Sequence, residues 1–115
     1  MKAFILAILL TFIAAPALAE TITAAEAKSH IEKNVTVEGM VSEVHHARSG
    51  KVILIDIGGR YPNNTFTAVI LQDAFNKFPN VDSLANKTID VTGQIKDYRG
   101  RPEIILDDPA QLKVK

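Results

Sequence analysis

Five short strand-like runs, each closed off by turn chemistry, crowd into the stretch between Val35 and Val114, and no cysteine is present to staple them. Val35, Val37 and Val41 alternate with Thr36 and Glu38, the period-two pattern of a half-buried strand. The phase slips by Val44 and Gly39 interrupts the run, which predicts a strongly bent strand with a bulge. The second run, "VILIDI" from Val52, is apolar on nearly both faces, and "FTAVIL" from Phe66 is the third. From Thr88 to Lys96 the alternation is clean, with Ile89, Val91 and Ile95 facing one way; Ile104-Ile105-Leu106 begins the fifth run, and Leu112 and Val114 supply its tail. The breaks "HARSGK", "GGRYPNN" and "KDYRGRPEI" hold the Gly, Pro, Asn and Asp that turns need. Strands this short in so short a chain cannot leave long apolar edges unpaired without aggregating, so closure into a small barrel is the economical solution.

Two helical signals flank this pattern. Thr23-Ala24-Ala25-Glu26 matches a capping box, and Ala24, Ala27 and Ile31 then share one helical face, which predicts a short helix ending near Glu32. Between Gln72 and Lys87 the period loosens; Phe75 and Phe78 share a face and Pro79 stops the turn, giving a short helix and an irregular link. The expected fold is therefore all-β with short helices: a five-stranded Greek-key barrel with a helix between strands three and four and a short N-terminal helix. That is the layout of the OB fold.

The first residues, "MKAFILAILLTFIAAPALA", combine one Lys, a short apolar run and a small-residue exit. This is the pattern of a secretory signal peptide over residues 1–19, leaving one domain over residues 20–115 in the periplasm or secreted, with no membrane span after cleavage. Of the 115 residues, 96 then remain, room for one small domain. Without Lys2 they carry 12 Lys and Arg against 13 Asp and Glu, a net charge near −1, so no global field draws the domain onto nucleic acid. An exported domain without disulfides must rely on packing.

Several words resemble a known group. "ITAAEAKSHI", "VTVEGMVSEV", "GKVILIDIGGRYPNNTFTAVI", "VTGQI" and "YRGRPEIILDDPAQL" together resemble the small exported bacterial OB-fold proteins of the nucleic-acid-binding, tRNA-anti-like group. The resemblance runs over residues 20–115. It implies non-enzymatic nucleic-acid binding, a description resting largely on a fold that also binds oligosaccharides and proteins.

OB folds tend to bind ligands on the face of strands two and three and at the loops joining strands one to two and four to five. All four Arg of the chain, Arg48, Arg60, Arg99 and Arg101, fall in turns between the expected strands, with Lys51 beside the first. The two Tyr, Tyr61 and Tyr98, each adjoin one of these Arg. Aromatic faces that stack on unpaired bases, beside cations that follow the backbone, are what sequence-tolerant single-strand binding uses. The seven residues Arg48, Lys51, Arg60, Tyr61, Tyr98, Arg99 and Arg101 are thus the expected ligand-binding set, for single-stranded nucleic acid (DNA or RNA) or a similar polyanion. Two readings compete: ordinary solvated turns whose Arg pair with Asp56, Asp97 or Glu103, and a module for an envelope protein or glycan.

Neither a metal, a cofactor nor a catalytic residue is expected. His45 and His46 are adjacent, so on a strand they point to opposite faces, and His30 lies far off in the chain. Asp56, Glu103, Arg60 and Arg101 are residue types that thermonuclease-like OB barrels use, but none of that family's catalytic words is present. Gly58-Gly59 precedes a turn and a strand, so it is not a phosphate-cradling loop.

Overall fold

The computed structural model describes residues 19–115; residues 1–18, which carry almost all of the expected signal peptide, lie outside the described residues. Eight strand segments form the fold: β1 (Thr21–Thr23), β2 (Asn34–His46), β3 (Val52–Ile57), β4 (Phe66–Leu71), β5 (Thr88–Gln94), β6 (Lys96–Tyr98), β7 (Arg101–Ile105) and β8 (Leu112–Val114). Their order in the sheet is β6-β7-β4-β3-β2-β5-β8, with β1 lying parallel to β2 off this path.

Three departures turn the five expected strands into eight. The residues before the N-terminal helix extend alongside Thr36 to Glu38 as β1. The expected fourth strand divides at Ile95, whose N–H and C=O leave the ladder to bond Lys33 and Glu32 at the entry to β2. The tail returns antiparallel to β5 as β8. The ladder is therefore not the closed five-stranded barrel that strand counting predicts: residues 88–98 bond β2 at one end and β7 at the other, and these halves are linked by the covalent chain at Ile95 and by Gln111, whose Nε2 donates to the Thr92 and Ile105 carbonyls at 3.0 and 3.1 Å. A side chain that is fully buried holds that corner in place.

The helical segments are tighter than expected. Thr23 caps a 3-10 helix over Ala24–His30, where the Glu26 carboxylate accepts from the Thr23 N–H at 3.2 Å and its hydroxyl at 3.0 Å. These bonds hold the Glu26 pKa below its usual value. Between β4 and β5 stand two 3-10 turns, Gln72–Lys77 and Val81–Leu84, in place of one helix and an irregular link.

The bend expected in β2 is present. Its first half pairs with β5 and its second with β3, with the register shifting between Val41 and Glu43. Gly39 is required at the crossing, since a Cβ there would lie 2.5 Å from Ile57 Cγ2. Alternate residues of the strands then turn inward, among them Val37, Ile55, Phe66, Ile89 and Ile104, while Phe78, Val81 and Leu84 of the link close the core beneath them.

Candidate functional site

Because Ile53, Ile55 and Ile57 of β3 point into the core, Leu54 and Asp56 point out. Register extends this across the sheet. Glu43 of β2 lies opposite Asp56, Asp56 opposite Thr67 of β4, Thr67 beside Glu103 of β7, and Glu103 opposite Lys96 of β6. The next row along the strands is Leu54, Val69 and Ile105, apolar throughout. The outer face of β3, β4 and β7 thus carries a polar row beside an apolar one.

Two turns overhang the polar row. The β6–β7 turn has only Arg99 and Gly100 between the paired Tyr98 and Arg101, with φ of 51° and 82° respectively. Two positive φ values are the signature of a type I′ hairpin turn, which favours Asn-Gly or Asp-Gly. Gly100 suits its place; Arg99 sits in a conformation that costs a side chain such as Arg about 1–2 kcal/mol. The β3–β4 turn, residues 58–65, brings Tyr61 over the same row.

Between them lies a cavity of about 210 Å³, lined by Asp56, Tyr61, Tyr98, Arg99, Arg101 and Glu103 among others. The Arg99 guanidinium stands 5.3 Å from the Tyr98 ring centroid, and that of Arg101 stands 5.0 Å from the centroid of Tyr61. Each Tyr–Arg pair is thus a cation–π contact. Tyr61 and Tyr98 remain 67% and 53% exposed, so ring surface is left for a ligand. Arg101 also anchors the β3–β4 turn: its Nη2 donates to Asn64 Oδ1 at 2.5 Å and to the Pro62 carbonyl at 3.1 Å. A second cavity, of about 300 Å³, adjoins the first, sharing Thr67, Arg101 and Pro102 and adding Lys28 at its far side.

Asp56 is the anomaly of the site. Only 1% of it is exposed; Oδ1 accepts from the Asn64 amide at 3.3 Å, and Oδ2 has no partner. Burial and the nearby Glu43 raise its pKa, against the downward pull of His45, Arg101 and the Tyr61 backbone N–H. Glu103 is likewise raised by burial. A buried carboxyl with an unbonded oxygen is costly to keep.

Four of the seven expected residues, Tyr61, Tyr98, Arg99 and Arg101, converge on this cavity. Arg60 is exposed in the same β3–β4 turn, one residue from Tyr61. Arg48 and Lys51 are exposed in the β2–β3 turn at the other end of β3, roughly 15–20 Å away at strand rise. The three basic turns do not meet at one point; they bracket one face. Among the described residues no Arg forms an ion pair, since the salt bridges use His30, His46, Lys96 and Lys115. His46 is committed to Asp82 at 2.6 Å, tying β2 to the Val81–Leu84 turn.

Lys28 and Asn64 were not legible as site residues, because Lys28 reads as an exposed helix position and Asn64 as turn punctuation. Asp56 had a signal: one carboxylate inside a run that is otherwise apolar on both faces.

No protein-family model matches the chain, and no curated protein does. Solved structures do. OBody AM1L10 bound to hen egg-white lysozyme is similar at TM-score 0.61 and 17% identity, over 84% of this chain and 93% of that one. The aspartyl tRNA synthetase of Entamoeba histolytica gives TM-score 0.59 and 17% identity, over 91% of this chain and 23% of that one. The asparaginyl-tRNA synthetase of the same organism, in complex with asparaginyl-adenylate, gives 0.55 and 19%, over 82% of this chain and 23% of that one. The chain therefore spans under a quarter of each synthetase and nearly all of the OBody. At these identities the likeness establishes architecture: the chain is a mostly β, OB-like fold.

Proposed function

We propose that this domain is an exported, non-enzymatic binding protein for single-stranded nucleic acid, which it holds on the outer face of β3, β4 and β7. The observation that carries this is the convergence of two Tyr–Arg contacts on one cavity, three of their residues from the β6–β7 hairpin and Tyr61 from the β3–β4 turn. Stacking platforms with adjacent cations bind unpaired strands without reading a long sequence. The fold likeness to two tRNA synthetases supports a nucleic-acid ligand. Tyr61 and Tyr98 stack on bases, while Arg48, Lys51, Arg60 and Arg99, free of ion pairs, contact phosphates. Arg101 shapes the wall by holding Asn64 and Tyr61.

A salt titration tests this. Four phosphate contacts on a single strand give a log–log slope near −2.8, so affinity for an oligonucleotide falls about 50-fold from 50 to 200 mM salt. Binding that ignores salt, or no binding at 50 mM, refutes the proposal.

One observation favours a second reading, an interaction module for an envelope protein. The apolar row Leu54, Val69 and Ile105 lies directly beside the cavity, and the OBody that shares this fold is bound to lysozyme. Capture of one defined envelope protein, lost on Ile105→Lys, together with no oligonucleotide binding, would decide for it.

A further inference from the structure

Two carboxyls, Asp56 and Glu103, line the cavity beneath its Tyr and Arg rim. Asp56 Oδ2 is buried and unpartnered. The Glu103 carboxyl, half-buried one strand beyond Thr67, has its pKa raised by burial and forms no ion pair among the described residues. Lys96, opposite Glu103, instead lies 3.7 Å from Glu32. The wall nearest them, Arg101, already has its Nη2 on Asn64 and Pro62. A phosphate on this floor would meet two carboxyls and be repelled.

The group that fits is planar, aromatic and rich in N–H donors. Tyr61 and Tyr98 supply π faces, and about 210 Å³ falls below the ~300 Å³ where drug-sized pockets begin, so the cavity suits one ring system and not an extended ligand. Of the four bases, guanine presents N1–H and one N–H of its N2 amino group side by side on its Watson–Crick edge, two donors aimed one way. Uracil and thymine present one N–H between two carbonyl oxygens, which would face the carboxyls lone pair to lone pair. Unstacked bases are commonly read on this edge while they stack on aromatic side chains.

We propose that this cavity is a base pocket selective for guanine, with Asp56 and Glu103 accepting from N1–H and N2–H₂ between Tyr61 and Tyr98. It rests on the single-strand reading above and adds a preference to it. Arg99 and the outer turns hold the strand; the carboxyl floor chooses which base enters. Guanine binding also gives the orphaned Asp56 oxygen a partner, which explains a carboxyl kept where it costs stability.

The test uses mononucleotides and short oligonucleotides in parallel, followed by amide NMR shifts and fluorescence anisotropy. GMP should shift the amides of Asp56, Thr67 and Glu103, while UMP should not. A dT 12-mer with two central dG residues should bind about ten- to a hundredfold tighter than the plain dT 12-mer. Glu103→Gln, on a half-buried strand position, should cut that preference, as should Asp56→Asn. Equal affinity for both 12-mers, or equal GMP and UMP shifts, overturns the guanine pocket but leaves single-strand binding standing. If neither 12-mer binds and GMP produces no shift, both proposals fall.

Discussion

Arg99→Gly separates what the β6–β7 turn needs from what a ligand needs. Arg99 occupies the first central position of a two-residue hairpin with φ 51°. Relieving a side chain there returns about 1–2 kcal/mol. Glycine gives back about 0.5–1 kcal/mol through the extra freedom of the unfolded chain. The cation–π contact with the exposed Tyr98 ring is lost as well, a further cost of about 0.5 kcal/mol. The net expectation is a stability between about 0.5 kcal/mol lower and about 1 kcal/mol higher, a Tm change of roughly −4 to +8 °C for a domain of this size. The same change removes one phosphate contact, so the salt slope for an oligonucleotide should become shallower by about 0.7. Calorimetry and anisotropy titrations on the two proteins read both effects. A fall in Tm of more than about 4 °C would show that the turn is not strained by Arg99. An unchanged slope would show that Arg99 meets no phosphate, and a higher Tm alone would leave its presence unexplained by binding.

Asp56→Asn should raise Tm at pH 7, with the gain shrinking toward pH 3. A folded-state pKa raised above the ordinary 3.8 means that the native state binds the proton more tightly than the unfolded one, so the carboxyl's contribution to stability is full in acid and is lost as pH rises through the folded value; a gain independent of pH refutes this. Gly39→Ala should destabilise by about 1–3 kcal/mol in chemical denaturation, because the added Cβ meets Ile57 Cγ2 at 2.5 Å and the β2 crossing must open. Ile55→Ala, at a fully buried site, should cost about 2–5 kcal/mol in the same assay, and a cost below 1 kcal/mol would place Ile55 outside the core.

Local periodicity carries much of the architecture. The β2 bend was readable because the apolar phase slips after Val41 with Gly39 just before it, and the structure puts a register shift there. The break at Ile95 was not readable, because Thr88 to Lys96 alternates without interruption; what ends the ladder is a pair of bonds to Lys33 and Glu32, over 60 residues away. Strand counting likewise missed β1, a three-residue segment whose pairing depends on a distant partner. In the site, turn composition located the cations and the two Tyr but not their distances apart. Arg48 and Arg99 look equivalent in the chain, yet the hand-over of β3 sends their turns to opposite ends of one face. The competing reading, in which Asp56, Asp97 or Glu103 pair with the Arg, finds no ion pair among the described residues: Asp56 and Glu103 line the cavity, while Arg99 stands over Tyr98 and Arg101 is held by Asn64.

The division at Ile95 has a mechanical side. β6 ends the sheet, pairs through three residues with β7 alone, and is joined to the rest by a single buried corner. Its outer edge is guarded by Lys96 and Asp97, charges that discourage another strand from adding there. A short terminal flap of this kind opens at far lower free energy than β3, which is paired on both sides. Tyr98 rides on the flap and Tyr61 on a turn pinned by Arg101, so opening of the flap would move one ring of the proposed pocket and leave the other, and the core, in place.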